Sequence, residues 1–409
     1  MIKLSQLPIK EISRRAGYIR KKPAGSAGIR ISVLGTRGFP HVQGGIESHC
    51  EHLYSLLADK GFNVTVFARQ QYVGIRQPYV YKGVHVVPLP CVRNKFLEAF
   101  LHTLLGIFVA ARYKPDILHI HAIGPSFFAP VARLLGMKVV VTNHGPDYER
   151  KKWGMAARSF LKLSEMIGMI FSSRVIAVAQ GIKARHKHFA GKINFIPNGV
   201  VVKDIIGEDG VIKRFGLASK RYVLSVGRFV PEKGFLDLID AFEGFQRNHP
   251  VYSAGFKLVI VGKADHETAY SIKVEERAKA NKNVVLTGFL SGQALQEMFS
   301  HAGLFVLASY HEGLSLALLE ALGYGVSCVA SDIESNHISE LEPERYYPVG
   351  NVDSLALAIK YCLDRPLTDS QKGLQIRSIR KQYDWKIIAK DTQDVYISLV
   401  KKNSGKRSP

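Results

Sequence analysis

Short apolar runs return along this chain of 409 residues, separated by stretches long enough for a helix. They fall at 30–36, 62–68, 83–88, 116–121, 138–142, 174–178 and 193–196, then at 222–227, 256–262, 283–287, 303–308 and 326–330. Strands alternating with helices in this way predict parallel sheets wound on both faces. A hydrophobic content of 46% over this length suffices for two domains with sizeable cores. The fold class is therefore predicted as α/β, with two doubly wound parallel sheets. There is no short internal repeat and no low-complexity block.

One segment joins this pattern to chemistry. In HEGLSLALLEALGYG, residues 311–325, a strand ends and a helix begins. Gly313 and Ser315 let the chain turn into Leu316–Leu322, whose Ala/Leu content favours helix. Glu312 then lies at the mouth of the turn and Glu320 inside the helix, roughly 12 Å further along at the usual rise per residue. One carboxylate can reach each end of an extended ligand. Free backbone N–H groups at the helix start, near Gly313 and Leu314, suit a phosphate.

Upstream, YVLSVGRFVPEKG (222–234) runs from a strand through Gly227 into Arg228 and Lys233. Two cations on a loop after a parallel strand can neutralise a diphosphate, one through a planar fork and one as a point charge. In the first half, residues 30–69 read as strand, Gly-rich loop, amphipathic helix, strand. Such a unit sets its loop at the carboxyl end of the sheet, where open α/β sheets bind ligands. Gly44 and Gly45 allow close backbone approach there, but the loop is not G-x-G-x-x-G and implies no nicotinamide cofactor. Ile117, His119 and His121 share one strand face and read as core residues. No Cys or carboxylate spacing suggests a zinc site. His144 ends the strand VVVTN at that same ligand edge, with Asp147 and Arg150 as possible acceptor contacts.

The E-x7-E pair and the G-R-x-x-x-E-K-G loop resemble the signatures of retaining nucleotide-sugar glycosyltransferases of family 4. That resemblance implies the GT-B architecture, two Rossmann-like domains facing a cleft. It divides the chain into a basic leader arm (1–27), an acceptor domain (28–198), a donor domain (199–383) and a last helix with tail (384–409) crossing back to the first domain. FIPNGV (195–200) is similar to the family's hinge, although Val201 stands where an aspartate often follows. By the same resemblance Glu320 holds ribose hydroxyls, Glu312 orients the donor sugar, and Arg228 and Lys233 stabilise the leaving diphosphate. His144 lies near the sugar, and the base rests on LTGFLSG (286–292), around Gly288 and Phe289. The donor implied is a UDP-sugar or GDP-sugar, with no other cofactor and no metal; no Asp-x-Asp occurs in the sequence. After VSCVASD (326–332) the chain departs from the family, with Ser327 and then IESN.

Charge is lopsided. Residues 1–200 hold 29 Lys+Arg against 9 Asp+Glu, whereas the rest hold 27 against 25. Lys3, Lys10, Arg14, Arg15, Arg20, Lys21 and Lys22 crowd the leading arm, and Arg150, Lys151 and Lys152 follow the His144 loop. Each cation near an anionic bilayer contributes about 1 kcal/mol. A cytoplasmic enzyme peripheral on the plasma membrane is therefore expected, acting on a glycan acceptor such as a polyprenyl-diphosphate-linked precursor of exopolysaccharide or O-antigen. The first residues lack the apolar run of a signal peptide, and Cys50, Cys91, Cys328 and Cys362 form no CxxC pair. Residues 96–111 read as a core helix, with an interfacial helix second. A basic surplus also suits a nucleic-acid-binding module, but no RNP-like strand, zinc-finger spacing or basic zipper accompanies it. Another two-domain nucleotide-sugar enzyme, a sucrose-phosphate-type synthase or an epimerase, is the remaining alternative.

Overall fold

A computed structural model describes residues 28–401 apart from 93, 95, 96, 150–152, 203, 208 and 209. The leading arm with its cations, and Arg150, Lys151 and Lys152, lie outside the described residues. The first sheet has eight strands: β1 Arg30–Leu34, β2 Asn63–Arg69, β3 Tyr79–Tyr81, β4 Val84–Leu89, β5 Ile117–His121, β6 Lys138–Asn143, β7 Arg174–Ala177 and β8 Ile193–Phe195. Their spatial order is β3-β4-β2-β1-β5-β6-β7-β8. The second sheet has six: β9 Tyr222–Val226, β10 Lys257–Val261, β11 Val284–Gly288, β12 Leu304–Leu307, β13 Cys328–Ser331 and β14 Tyr346–Tyr347, in the order β11-β10-β9-β12-β13-β14.

Every ladder between the named strands is parallel except β3 against β4. Those two strands form a hairpin through Lys82 and Gly83, both at positive φ as a tight primed turn requires. The first sheet is thus parallel but for this edge strand, and neither β3 nor β14 was among the strands predicted from sequence. Several runs were drawn too long as strands. β1 stops at Leu34 because Gly35 turns at φ +94°, where a Cβ would lie 2.0 Å from the His121 carbonyl oxygen.

Period-two alternation sends neighbouring strand residues to opposite cores. Val33 and Val64 face Leu53 and Leu57 of α1 (Gly45–Asp59), while Leu34 and Leu118 face Ile107 and Ala110 of α2 (Glu98–Tyr113). Two further helices, α3 (Ala129–Leu134) and α4 (Met155–Phe171), complete the layer beside α2. In the second sheet Val223 and Leu258 meet α5 (Phe235–Asn248), whereas Leu224 and Val259 meet α7 (Gly292–His301). Between these in sequence lies α6 (Ala269–Ala280). The same core beside α7 takes in α8 (Leu316–Gly323), and α9 (Val352–Asp364) joins α5. Each large aliphatic or aromatic side chain so buried stabilises the fold by about 1.5–3 kcal/mol.

After α10 (Asp369–Tyr383), the helix α11 (Trp385–Lys401) leaves the second sheet for the first. Trp385, Ile388, Val395 and Tyr396 join α1 in the core over β1 and β2. Trp385 presses on Gly199, where a Cβ would meet its ring at 2.4 Å, and stacks on His52 at 5.3 Å. Among the described residues no helix is long and apolar enough to cross a membrane.

Strand order also positions the site. In the first sheet β1 lies between β2 and β5, and in the second β9 lies between β10 and β12. These are the points where chain direction across the sheet reverses, and ligands bind outside the carboxyl ends of the strands there.

Candidate active site

From the second sheet, the loops after β9 and β12 converge. The turn Pro231–Lys233 carries Lys233, whose Nζ donates to Glu312 Oε1 at 2.5 Å. Ser309 Oγ donates to the same oxygen at 2.6 Å. Glu312 is thus held at the entrance to α8, where the Ser315 side chain caps the helix by accepting from the Leu318 N–H. Glu320 is half-buried on α8 itself, and its charge helps to raise the Tyr324 hydroxyl after burial has done most of that work.

Arg228 Nη1 donates to Asp265 Oδ2 at 2.9 Å, on the loop after β10. The same oxygen accepts from Arg37 Nη1 at 2.7 Å, and Arg37 belongs to the loop after β1 of the other sheet. Arg37 also grips Glu47 in α1 through Nε and Nη2, each at 3.1 Å, and through its backbone N–H. Burial alone would raise the Glu47 carboxyl, but the Arg37 charge and hydrogen bonds outweigh it and hold it at about 2. Gly44 makes room for this pair: a Cβ there would lie 2.1 Å from Glu47 Oε2. Gly45 opens α1 with nothing within 4 Å of a Cβ.

Opposite Glu312 stands His144, just past β6. Its Nε2 is 3.0 Å from His121 Nδ1, and its ring meets that of His49 edge-on at 5.1 Å. Burial pushes His144 down to about 4, partly offset by the Asp147 and Glu47 charges. His49 and His121 are held well below the ordinary imidazole value by burial and by their neighbouring imidazoles. The cluster is therefore neutral near pH 7. His119 and His121 are core residues bonded to Tyr54, with His119 further tied to Thr142 and to Tyr396 of α11.

Among the described residues, His49, His121 and His144 are a group that could hold a metal ion, their ring nitrogens lying within 4.8 Å of one another. Asn198, in the FIPNGV segment, fixes one tautomer. Its Nδ2 donates to the Leu314 carbonyl at 2.9 Å, and that oxygen can only accept. Asn198 Oδ1 therefore faces His49 Nδ1 at 3.0 Å and accepts a hydrogen bond from its N–H.

The two sheets meet backbone to backbone beside these groups. A Cβ on Gly313 would lie 1.9 Å from the His144 carbonyl oxygen, and one on Gly145 would lie 3.1 Å from Gly313 Cα. Glycine at both positions is what permits the approach. Gly288 ends β11 and Phe289 follows it, and a hollow of about 370 Å³ opens there, lined by Phe229, Gly262, Lys263, Leu286 and Gly288 among others. The structure thus joins Glu312 to Lys233, Arg228 to Asp265, and the His144 loop to Gly313. Arg37, Glu47, Asn198 and Asp265 were not singled out from sequence. Of these, the sequence pointed only to Asn198, as part of the FIPNGV segment.

Two family profiles match the chain. "Glycosyltransferase Family 4" matches residues 43–204 and "Glycosyl transferases group 1" matches residues 212–378. A UDP-Gal:alpha-D-GlcNAc-diphosphoundecaprenol alpha-1,3-galactosyltransferase of Escherichia coli is 27% identical over 299 residues, covering 69% of this chain and 75% of that protein. Among solved structures, sucrose-phosphate synthase from Thermosynechococcus elongatus superposes with a TM-score of 0.77 at 19% identity, over 91% of this chain and 99% of that one. Anabaena HepE in complex with UDP-glucose superposes at 0.72 with 18% identity, over 90% and 100%. At these identities the structural likeness concerns the fold.

Proposed function

The chain belongs to the group 1, family 4 glycosyltransferases of the two-domain GT-B type, and on that premise we propose that it is a retaining, metal-independent enzyme using a nucleoside-diphosphate sugar. One observation carries the reading. Two cations, Arg228 and Lys233, stand at the carboxyl edge of the second sheet, each paired with a carboxylate that a diphosphate could replace. The uridine diphosphate sugar in the HepE complex and the UDP-galactose in the bacterial relative's name support such a donor.

In this reading Glu320 accepts hydrogen bonds from the ribose hydroxyls and Glu312 from a ring hydroxyl of the sugar. As the bond from the anomeric carbon to the diphosphate oxygen breaks, negative charge grows on the diphosphate. Arg228, Lys233 and the N–H groups of Gly313 and Leu314 stabilise it, which is electrostatic catalysis by preorganised donors. The acceptor hydroxyl bonds to the same face of that carbon, and its proton leaves with the diphosphate. His144, neutral at working pH, offers a hydrogen-bonding nitrogen to the sugar without adding a charge that would oppose the developing cation. In this reading two cations face the phosphates in place of a metal, and the sequence has no Asp-x-Asp of the kind that metal-dependent glycosyltransferases use.

The acceptor we propose is a lipid-borne glycan precursor presented at an anionic membrane. The basic surplus of residues 1–200 and the diphosphoundecaprenol acceptor in the relative's name support it. Family membership displaces the reading of the chain as a nucleic-acid-binding module. Calorimetry with UDP, GDP and ADP on the wild type and Arg228→Ala tests the donor. Selective binding of one, lost in the variant, is the expected result; no binding to any of the three would overturn it.

A further inference from the structure

The first domain has two very different faces. Over one, α1 and α11 cover the sheet. Over the other, α2, α3 and α4 form a layer that packs inward correctly and yet presents apolar side chains outward. Inward, Gly106 of α2 sits so close to β1 that a Cβ would lie 2.3 Å from Leu34 Cδ2, and Leu161, Gly168 and Met169 of α4 are buried. The outward sides are thereby fixed. They carry Leu101, Phe108, Leu134, Leu163, Met166 and Ile170, with Leu134 88% and Leu163 53% exposed.

These residues form a surface rather than scattered exceptions. On α4 they recur at 163, 166 and 170, the stripe that a helix of a monomeric soluble protein gives to charged residues. The Phe100 and Phe127 rings lie 6.0 and 5.1 Å from that of Phe160, which joins α2 to α4, and Arg133 Nη1 bonds Ser173 Oγ across to the end of α4.

Charge decides what covers this surface. Exposed Arg112, Lys114, Arg133, Arg158 and Lys162 are interspersed with the apolar side chains. The acids of residues 97–192 are elsewhere. Glu98 is buried against Arg69, Glu165 against Asn143 and His186, and Asp116 pairs with Arg30. Glu149 sits by His311 and Asp147 near His144, both at the cleft. A surface of aliphatic and aromatic groups ringed by cations, with none of the acids of residues 97–192 among them, matches the interface of an anionic bilayer, where apolar side chains enter the acyl boundary and Lys/Arg meet head groups. A protein partner would call for complementary acids or a flat apolar core depleted of charge.

We propose that the outer face of α2, α3 and α4 is the surface by which this protein lies on an anionic membrane. The inference rests on the reading of the acceptor as lipid-borne, and gives that reading a geometry. Since α4 opens at Met155, shortly after His144, the docked face would set the acceptor side of the cleft close to the head groups.

The test is flotation of the full chain with phosphatidylglycerol–phosphatidylcholine vesicles and with phosphatidylcholine alone, beside the double variant Leu163→Glu/Met166→Glu. Val251→Glu, at a position 90% exposed on the second domain, is the control. Wild type and Val251→Glu should partition onto the anionic vesicles. The double variant should lose about tenfold or more of that partitioning, since acidic groups oppose both the insertion and the field. Partitioning unchanged in the double variant overturns the proposal, and assigns any binding to the leading basic arm. Self-association of the wild type that the same substitutions abolish, without vesicle binding, also overturns it in favour of a second copy. Leu163→Trp gives an independent readout: its emission should shift to the blue and be quenched by brominated lipid on addition of anionic vesicles, and no shift counts against docking. UDP calorimetry on each variant separates this outcome from the donor reading, because nucleotide binding should be unaffected by any of them.

Discussion

Arg37 reaches across the cleft from the first sheet and donates to Asp265 of the second at 2.7 Å, on the very oxygen that also receives Arg228. Asp265 therefore helps to tie the two sheets together and also occupies one cation of the proposed diphosphate site. Lys233 is occupied in the same manner by Glu312. Both cations of the proposed diphosphate site are paired with carboxylates, so donor binding there would be an exchange of anions.

Asp265→Asn tests that exchange. Arg37 keeps Glu47, so the first domain's loop stays anchored, while Arg228 loses its charged partner. The Arg228 and Asp265 side chains are 30% and 22% exposed, so solvent screens the pair and a contribution of about 0.2–1 kcal/mol is the right scale. Affinity for the selected nucleoside diphosphate should rise by up to about fivefold, read by calorimetry. Affinity that falls, or stays level, would mean that Asp265 does not compete for Arg228.

Gly313→Ala addresses the contact between sheets. The added Cβ would lie 1.9 Å from the His144 carbonyl oxygen, so the two loops must part. A displacement of about 1 Å at a reacting centre costs roughly a hundredfold in rate. The variant should show that loss in kcat/KM with a melting temperature near that of the wild type, because the contact lies at the cleft and not in either core. Activity within a few-fold of wild type would show that this approach is not needed for turnover.

The histidine cluster fixes a pH dependence. His144 is held at about 4 and His119 at about 3, below the unfolded value near 6.5. Between these values the unfolded chain binds more protons than the folded one, so stability falls as pH falls. Denaturant titrations should give a loss beginning near pH 6.5 and continuing towards 4. Glu47, held at about 2, adds a second loss only below its unfolded value near 4.5. A stability that is flat from pH 7 to 5 would mean the imidazoles are not buried neutral.

Much of this fold could be read from sequence because parallel strands covered on both faces leave continuous apolar runs. Tyr79–Tyr81 escaped notice since it is a half-exposed edge strand whose only sign was the Lys82-Gly83 turn, and Tyr346–Tyr347 is too short to give a pattern. Glu312 and Lys233 were legible one at a time through local motifs, but no local pattern could pair Arg37 with Asp265, 228 positions apart. Asn198 read as part of a hinge; that its amide joins His49 to Leu314 depends on three segments meeting in space. The outward apolar face of α2 was hidden by its inward one, because a core helix and an interfacial helix share the same composition.

Glu320 carries the most specific assignment, and the test can be made equally specific. A carboxylate accepting from two ribose hydroxyls contributes on the scale of charged hydrogen bonds, about 1.5–3 kcal/mol. Glu320→Ala should therefore weaken nucleoside-diphosphate binding by roughly 10–100-fold. Loss of affinity alone would not place the carboxylate on the ribose, since α8 also packs into the core of the second domain. The same variant measured with a 2′,3′-dideoxy nucleotide separates the two. The dideoxy ligand should bind the wild type weakly and lose little further in the variant, because the partner hydroxyls are already gone. An equal loss for both ligands would move Glu320 off the ribose and leave it a structural part of the helix.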